Sequence, residues 1–270
     1  MSDQTLEKLI LEVTGRRAAR SAPFPGGDIS GASKVLLDDG KTMVAKSSPV
    51  VAREARMLTR MREIGVPVPK IYASTRQHLL MEYLGEGAGM TSMHWESMST
   101  SLARLAQYRT CEFGWDEDYA LRHIAVPNHR CERWTGFWRD NRLLCHVPHL
   151  RSDFAQRIEA LCDSLTDLIP AYPPTALVHG DLWGGNLVAG DGGQVWLIDP
   201  CAYYGDREVD VATLTVFDRP PDSLFDQLDL EPGWRDRLPV YRLWTWLVHI
   251  RLFGEAYRPA AERDLSALGF

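Results

Sequence analysis

The sequence predicts an α+β protein of two lobes: a small β-rich N-terminal lobe over residues 1–84 and a larger, mainly helical C-terminal lobe over 85–270. Three observations predict it. Short apolar runs bounded by turn residues crowd the first part, stretches of helical apolar spacing dominate the rest, and the Gly-rich crossing Gly85-Glu86-Gly87-Ala88-Gly89 lies between them. With 270 residues, 45% of them hydrophobic, the chain can bury a sizeable core, and no internal repeat or low-complexity tract interrupts it.

A leading helix comes first. Val35-Leu36-Leu37, the turn Asp38-Asp39-Gly40 and Met43-Val44-Ala45-Lys46 then read as strand, turn and strand. Pro49 suits a helix start, and Val51, Ala55, Leu58 and Met61 follow at helical spacing with Glu54 in the first turns. His78 to Leu84 reads as another strand. Beyond the crossing, helices are expected over 95–108, 130–145, 152–169, 207–217 and 234–253, with Pro170, Pro173-Pro174 and Pro220-Pro221 as stops. Leu177-Val178, Leu187-Val188 and Val195 to Ile198 have strand character, and Gly190-Asp191-Gly192-Gly193 suits a hairpin turn between the last two.

The chemistry concentrates in His179-Gly180-Asp181-Leu182-Trp183-Gly184-Gly185-Asn186 and in Asp199, thirteen residues past that Asn. Folding the chain about the Gly-rich turn brings Asn186 and Asp199 to one open end. Two oxygen side chains there make a seat for Mg²⁺, which favours a few hard oxygen ligands completed by phosphate and water. Asp181 is left free as a base. A lone His-Gly-Asp means little, but joined to Asn five residues on and an apolar strand ending in Asp it has the form of a kinase catalytic centre, so the expected architecture is a protein-kinase-like fold.

Such a centre makes demands upstream. Gly26 and Gly27 stand where a turn should cover the phosphates of ATP, although the G-x-G-x-x-G form is absent. Lys46 is expected on those phosphates, Glu54 as its partner, and the backbone of Glu82 and Leu84 on adenine. Trp183 occupies the position, two residues after Asp181, where protein kinases usually carry Lys; a flat indole there suits a sugar better than a peptide. Tyr203 and Tyr204 are candidates for the same substrate wall, and Asp210 for bracing the catalytic loop.

The net charge of −6 and pI near 5.8 disfavour a nucleic-acid partner, whose binding draws on Lys and Arg. The first ten residues lack the apolar core of an export signal, and the apolar stretch 243–253 is broken by His249 and Arg251, so no membrane association is expected. Five widely spaced cysteines without a C-x-x-C pair suit reduced thiols in a cytoplasmic protein, and Cys145-His146 alone makes a poor metal site.

The chain resembles the fructosamine kinase (ketosamine 3-kinase) family. The resemblance is carried by Val44-Ala45-Lys46, Glu54, Val66-Pro67-Val68-Pro69-Lys70, Leu80-Met81-Glu82-Tyr83, Phe113-Gly114, Asn128, Trp134 with Phe137, and Arg142-Leu143. Its specific part is His179 to Asn186 together with Ile198-Asp199-Pro200 and Tyr203-Tyr204-Gly205-Asp206-Arg207-Glu208-Val209-Asp210-Val211-Ala212. Aminoglycoside and choline phosphotransferases share the His-Gly-Asp and the later Asp, but usually not Trp183 or Tyr203-Tyr204-Gly205. The resemblance implies ATP- and Mg²⁺-dependent phosphorylation of the 3-hydroxyl of a ketosamine, such as a ribulosamine or fructosamine glycation adduct, free or on protein amines. Departures fall on the acceptor side: the helix that often ends in a Leu-His pair here ends Leu105-Ala106-Gln107-Tyr108, and Val126 stands for Gln and Asp206 for His. Asp28 stands where some members carry Cys. The alternatives are another small hydroxyl acceptor, aminoglycoside or choline-like, and a non-catalytic nucleotide-binding protein.

Overall fold

A computed structural model describes residues 2–24 and 31–270. It opens with helix α1 (Ser2–Thr14), followed by strands β1 (Ala18–Pro23), β2 (Ala32–Leu37) and β3 (Thr42–Ser47), helix α2 (Val51–Glu63), and strands β4 (Ile71–Ser74) and β5 (His78–Glu82). The strands form one antiparallel sheet in the order β1-β2-β3-β5-β4.

Alternation along these strands sends side chains to two separate cores. Met43 and Ala45 of β3 join Val35, Leu37 and Leu80 in a small cluster closed by Ile10 of α1. On the opposite face, Leu79 and Met81 pack with Val51, Ala55, Met57, Leu58 and Met61 of α2 into the large core that runs through the C-terminal lobe. Lys46 lies on this second face, opposite Leu79 in the β3–β5 register, so parity alone turns its amine toward α2. The helix between β3 and β4 is thus built into the core of the other lobe.

The C-terminal lobe begins with α3 (Ser92–Gln107), the hairpin β6 (Tyr119–Leu121) and β7 (Ile124–Val126), and the short α4 (Trp134–Trp138). There follow α5 (Ser152–Asp163), α6 (Leu165–Leu168), β8 (Thr175–Val178), the hairpin β9 (Leu187–Ala189) and β10 (Val195–Leu197), and β11 (Tyr203–Asp206), which pairs with β8. Helices α7 (Glu208–Phe217), α8 (Asp222–Asp226), α9 (Trp234–Phe253) and α10 (Arg258–Ala267) complete it.

Two expected helices are corrected. The stretch 130–145 is α4 continued by a π-helical turn over Arg139–Leu143 and a 3₁₀ segment from Leu144. Trp134, Phe137, Trp138, Asn141 and Arg142 are all buried there, and satisfying that many inward side chains widens the turn. The stretch 152–169 divides at Ser164, whose φ of −105° and ψ of 5° end α5. The strand expected over 78–84 stops at Glu82. Among the described residues no helix is long and apolar enough to cross a membrane, and all five cysteines are free thiols.

Candidate active site

The loop after β8 is fixed by its backbone. The N–H groups of His179 and Gly180 donate to the two carboxylate oxygens of Asp210 on α7, at 2.7 and 2.9 Å. Gly180 has φ +79°, and a Cβ on it would collide with the carbonyl of Cys201, so the position demands glycine on two counts. The His179 imidazole Nε2 donates to the carbonyl of Ile198 at 2.9 Å, leaving Nδ1 to accept the N–H of Asp181 at 3.3 Å. Burial holds this ring at about 4, so it is neutral. The Cys201 N–H closes back on the His179 carbonyl at 2.9 Å, and the loops carrying Asp181 and Asp199 are thereby stitched together.

The hairpin brings the backbone around Asn186 next to the backbone that leads into Asp199. Leu187 pairs with Leu197, and one step further the Ile198 N–H donates to the Asn186 carbonyl at 3.0 Å. The Asn186 amide donates to the backbone carbonyl of Asp181 at 2.7 Å and to its Oδ2 at 3.1 Å. Asp181 is half-buried, and desolvation, only partly offset by the bond from Asn186, pushes its carboxyl up to about 7. Asp199 takes φ +54°, an uncommon conformation for a residue other than glycine, directly before Pro200.

Lys46 joins this loop to the other lobe. Its Nζ donates to Glu54 Oε1 at 2.6 Å and to Asp199 Oδ1 at 2.5 Å while only 1% of the residue is exposed. Burial disfavours the ammonium, but Asp199 and Glu54 outweigh it and hold Lys46 above its ordinary value. Two carboxylates share one cation at this buried bridge. No group of three or more His, Cys, Asp or Glu placed to hold a metal occurs among the described residues. The donor set of Asn186 and Asp199 therefore fits a cation that takes few protein ligands and completes its shell with phosphate and water, as Mg²⁺ does.

The other expected site residues divide. Gly26 and Gly27 lie outside the described residues. The Glu82 N–H is not free for adenine, because it donates to the Lys70 carbonyl at 2.8 Å; the Leu84 backbone has no hydrogen-bond partner among the described residues. The crossing beside it is tied to β2 by Lys34, which donates to Tyr83 Oη at 2.8 Å and Glu86 Oε1 at 2.6 Å. Tyr203 is no substrate wall: it is fully buried, with the Arg142 guanidinium 4.0 Å over its ring and Phe137 at 5.3 Å. Tyr204 is buried as well, stacked on Tyr108 and packed against Trp115. Trp183 is half-buried and meets Phe217 edge-on at 5.7 Å, its ring lying over Gly185 where any Cβ would strike it.

The sequence reading gave no role to His179, though the residue stands in the motif itself. It also missed Tyr119 of β6, a buried phenol pushed well above its ordinary range by desolvation and by the carboxylates of Glu54, Asp199 and Asp181. Nothing in the spacing around Tyr119 marks it, because the three-residue strands of its hairpin have no readable period.

An antiparallel sheet over a helical lobe, with Lys46, Glu54, Asp181, Asn186 and Asp199 gathered where the two meet, defines a phosphotransferase of the protein-kinase-like class. The choline kinase LicA of Streptococcus pneumoniae shares the fold at a TM-score of 0.70 and 12% identity, each chain covered to 99%. The chain belongs to the fructosamine kinase family, whose model matches residues 2–268. It is 30% identical over 266 residues to a "Probable ketoamine kinase" of Lactiplantibacillus plantarum, covering 90% of this chain and 92% of that one. It is also 30% identical to one of Thermus thermophilus, with 97% of each covered. A crystal structure of a candidate fructosamine-3-kinase from Thermobifida fusca superposes at a TM-score of 0.85 with 27% identity, covering 97% of this chain and 98% of that one.

Proposed function

We propose that the protein transfers the terminal phosphoryl group of ATP to a sugar hydroxyl, the 3-hydroxyl, of a ketosamine such as a ribulosamine or fructosamine adduct, free or on protein amines. The observation that carries this reading is the single constellation in which Lys46, held by Glu54, reaches Asp199 while Asn186 holds Asp181. It is supported by membership of the fructosamine kinase family and by the fold shared with an amicoumacin kinase crystallised with AMP-PNP and Ca²⁺.

Asp181 aligns the acceptor hydroxyl and takes its proton as the oxygen attacks the terminal phosphorus; the bond to the ADP oxygen breaks in line with it. Lys46 offsets phosphate charge, and Leu84 offers adenine a backbone amide that has no partner among the described residues. Asn186 and Asp199 would hold Mg²⁺, which supplies Lewis-acid neutralisation of the phosphate oxygens. Trp183 stands next to the base and offers its face to the sugar.

The test is ATP consumption by the purified chain over ribulosamine, erythrulosamine and fructosamine adducts, an aminoglycoside and choline, with the product located by mass and phosphorus NMR. Transfer to O3 of a ketosamine is the expected outcome. Transfer confined to the aminoglycoside or choline would replace the acceptor, and nucleotide binding without turnover on any of them would make this a binding protein.

A further inference from the structure

An aromatic strip leads away from the catalytic loop. Beyond Trp183, the Phe217 ring meets His249 at 4.9 Å, and His249 meets Phe253 at 5.4 Å and Tyr257 at 5.0 Å. Phe217 and Phe253 are 41% and 45% exposed, a large apolar face to leave in water beside a reaction centre.

A carboxylate borders the strip. Asp218 follows Phe217 at the end of α7, half-buried, and its Oδ2 accepts the N–H of Gly184, the residue after Trp183, at 2.6 Å. Its second oxygen, Oδ1, lies against the Cα of Gly184 with no hydrogen-bond or ion-pair partner among the described residues. Asp218 is extended, with φ −109° and ψ 170°, and Arg219 beside it enters no ion pair among the described residues. Arg251 on α9 is engaged with His146. His249 donates from Nδ1 to the Thr245 carbonyl at 2.8 Å, and burial lowers its pKa, so the ring is neutral with Nε2 left as an acceptor.

Aromatic rings, a neutral imidazole and an unpaired carboxylate oxygen share affinity for one chemistry, an organic ammonium carrying an apolar substituent. We propose that Asp218, with the strip from Trp183 through Phe217 to His249, binds the protonated secondary amine of the acceptor. The inference rests on the ketosamine reading above and names its basis of selection: the sugar is recognised at Asp181 and Trp183, the amine one step further out. A neutral ketose of the same hydroxyl pattern lacks the group that Asp218 takes.

The experiment compares an N-alkyl ribulosamine with its neutral analogue, in which an ether oxygen replaces the nitrogen, as acceptors for the full chain with Mg²⁺ and ATP. The wild type is expected to favour the amine in kcat/KM by at least about tenfold. Asp218→Asn keeps an oxygen for the Gly184 N–H but loses the charge; the preference should collapse, with the loss in the KM of the amine. Phe217→Leu, which keeps an apolar side chain but removes the ring, should lower it in part. Equal losses on both acceptors in Asp218→Asn, or a wild type without preference, would overturn the proposal and leave Asp218 as a loop brace. If no ketosamine is turned over at all, the parent reading fails. Calorimetric binding of the same two acceptors, wild type against Asp218→Asn, still decides the role of Asp218.

Discussion

Burial pushes the Asp181 carboxyl up to about 7, and in the proposed reaction it serves as a base, which acts only when ionised. The sign follows: kcat/KM should rise about tenfold per pH unit below pH 7 and level off above it, since that parameter reports the free protein. Asp181→Asn should lower kcat by at least about a hundredfold while nucleotide still binds. A profile flat from about pH 5 to about pH 8, or a variant within about tenfold of the wild type, would remove Asp181 from proton transfer. The position of Asp181 was legible in the sequence because spacing alone ties it to Asn186 and Asp199. The wall assigned to Tyr203 and Tyr204 was not, since every residue of β11 is buried and a strand covered on both faces carries no alternation to say which side is empty.

At the scale of elements, the loop carrying Asp181 is held by the first turn of α7, through the Asp210 carboxylate. Asp210→Ala would strand two buried N–H donors, His179 and Gly180, at a cost of roughly 1–3 kcal/mol each. The midpoint of urea unfolding should fall accordingly, and kcat should fall more than the KM for ATP rises, because the loop loses its aim while the nucleotide lobe is untouched. Asp210→Asn, with one oxygen left to accept, should lie between. Unchanged stability in the alanine variant would mean that water satisfies those amides. This brace was readable from a helix with Asp three residues after Arg207. The segment 130–145 was not: its apolar spacing is helical, but the π turn arises from buried rings and the Arg142 guanidinium, partners supplied by distant parts of the chain.

For the molecule as a whole, Lys46 is among the cations that link the two lobes, through its ion pair with Asp199. An ATP analogue with Mg²⁺ at a hundred times its Kd should add about 2.7 kcal/mol of stability, a rise of roughly 5–10 °C in Tm for a chain of this size. Chelation of the divalent ion should remove most of it, and Lys46→Met should blunt it; a full shift without any divalent ion would count against Asn186 and Asp199 as its seat. The two-lobe plan could be read from turn spacing and helical periodicity. What could not be read is that α2 lies in the C-terminal core, because an amphipathic stripe shows that a helix has a buried face and not which neighbour covers it.

That seating of α2 divides the labour of future change. One face of the sheet packs with α1, whereas its other face and α2, which carries Glu54, join the core of the C-terminal lobe. Drift in the outer strands can therefore retune how tightly the energy donor is gripped while the machinery for choosing what receives it stays in register, so the two traits can be inherited and adjusted almost independently.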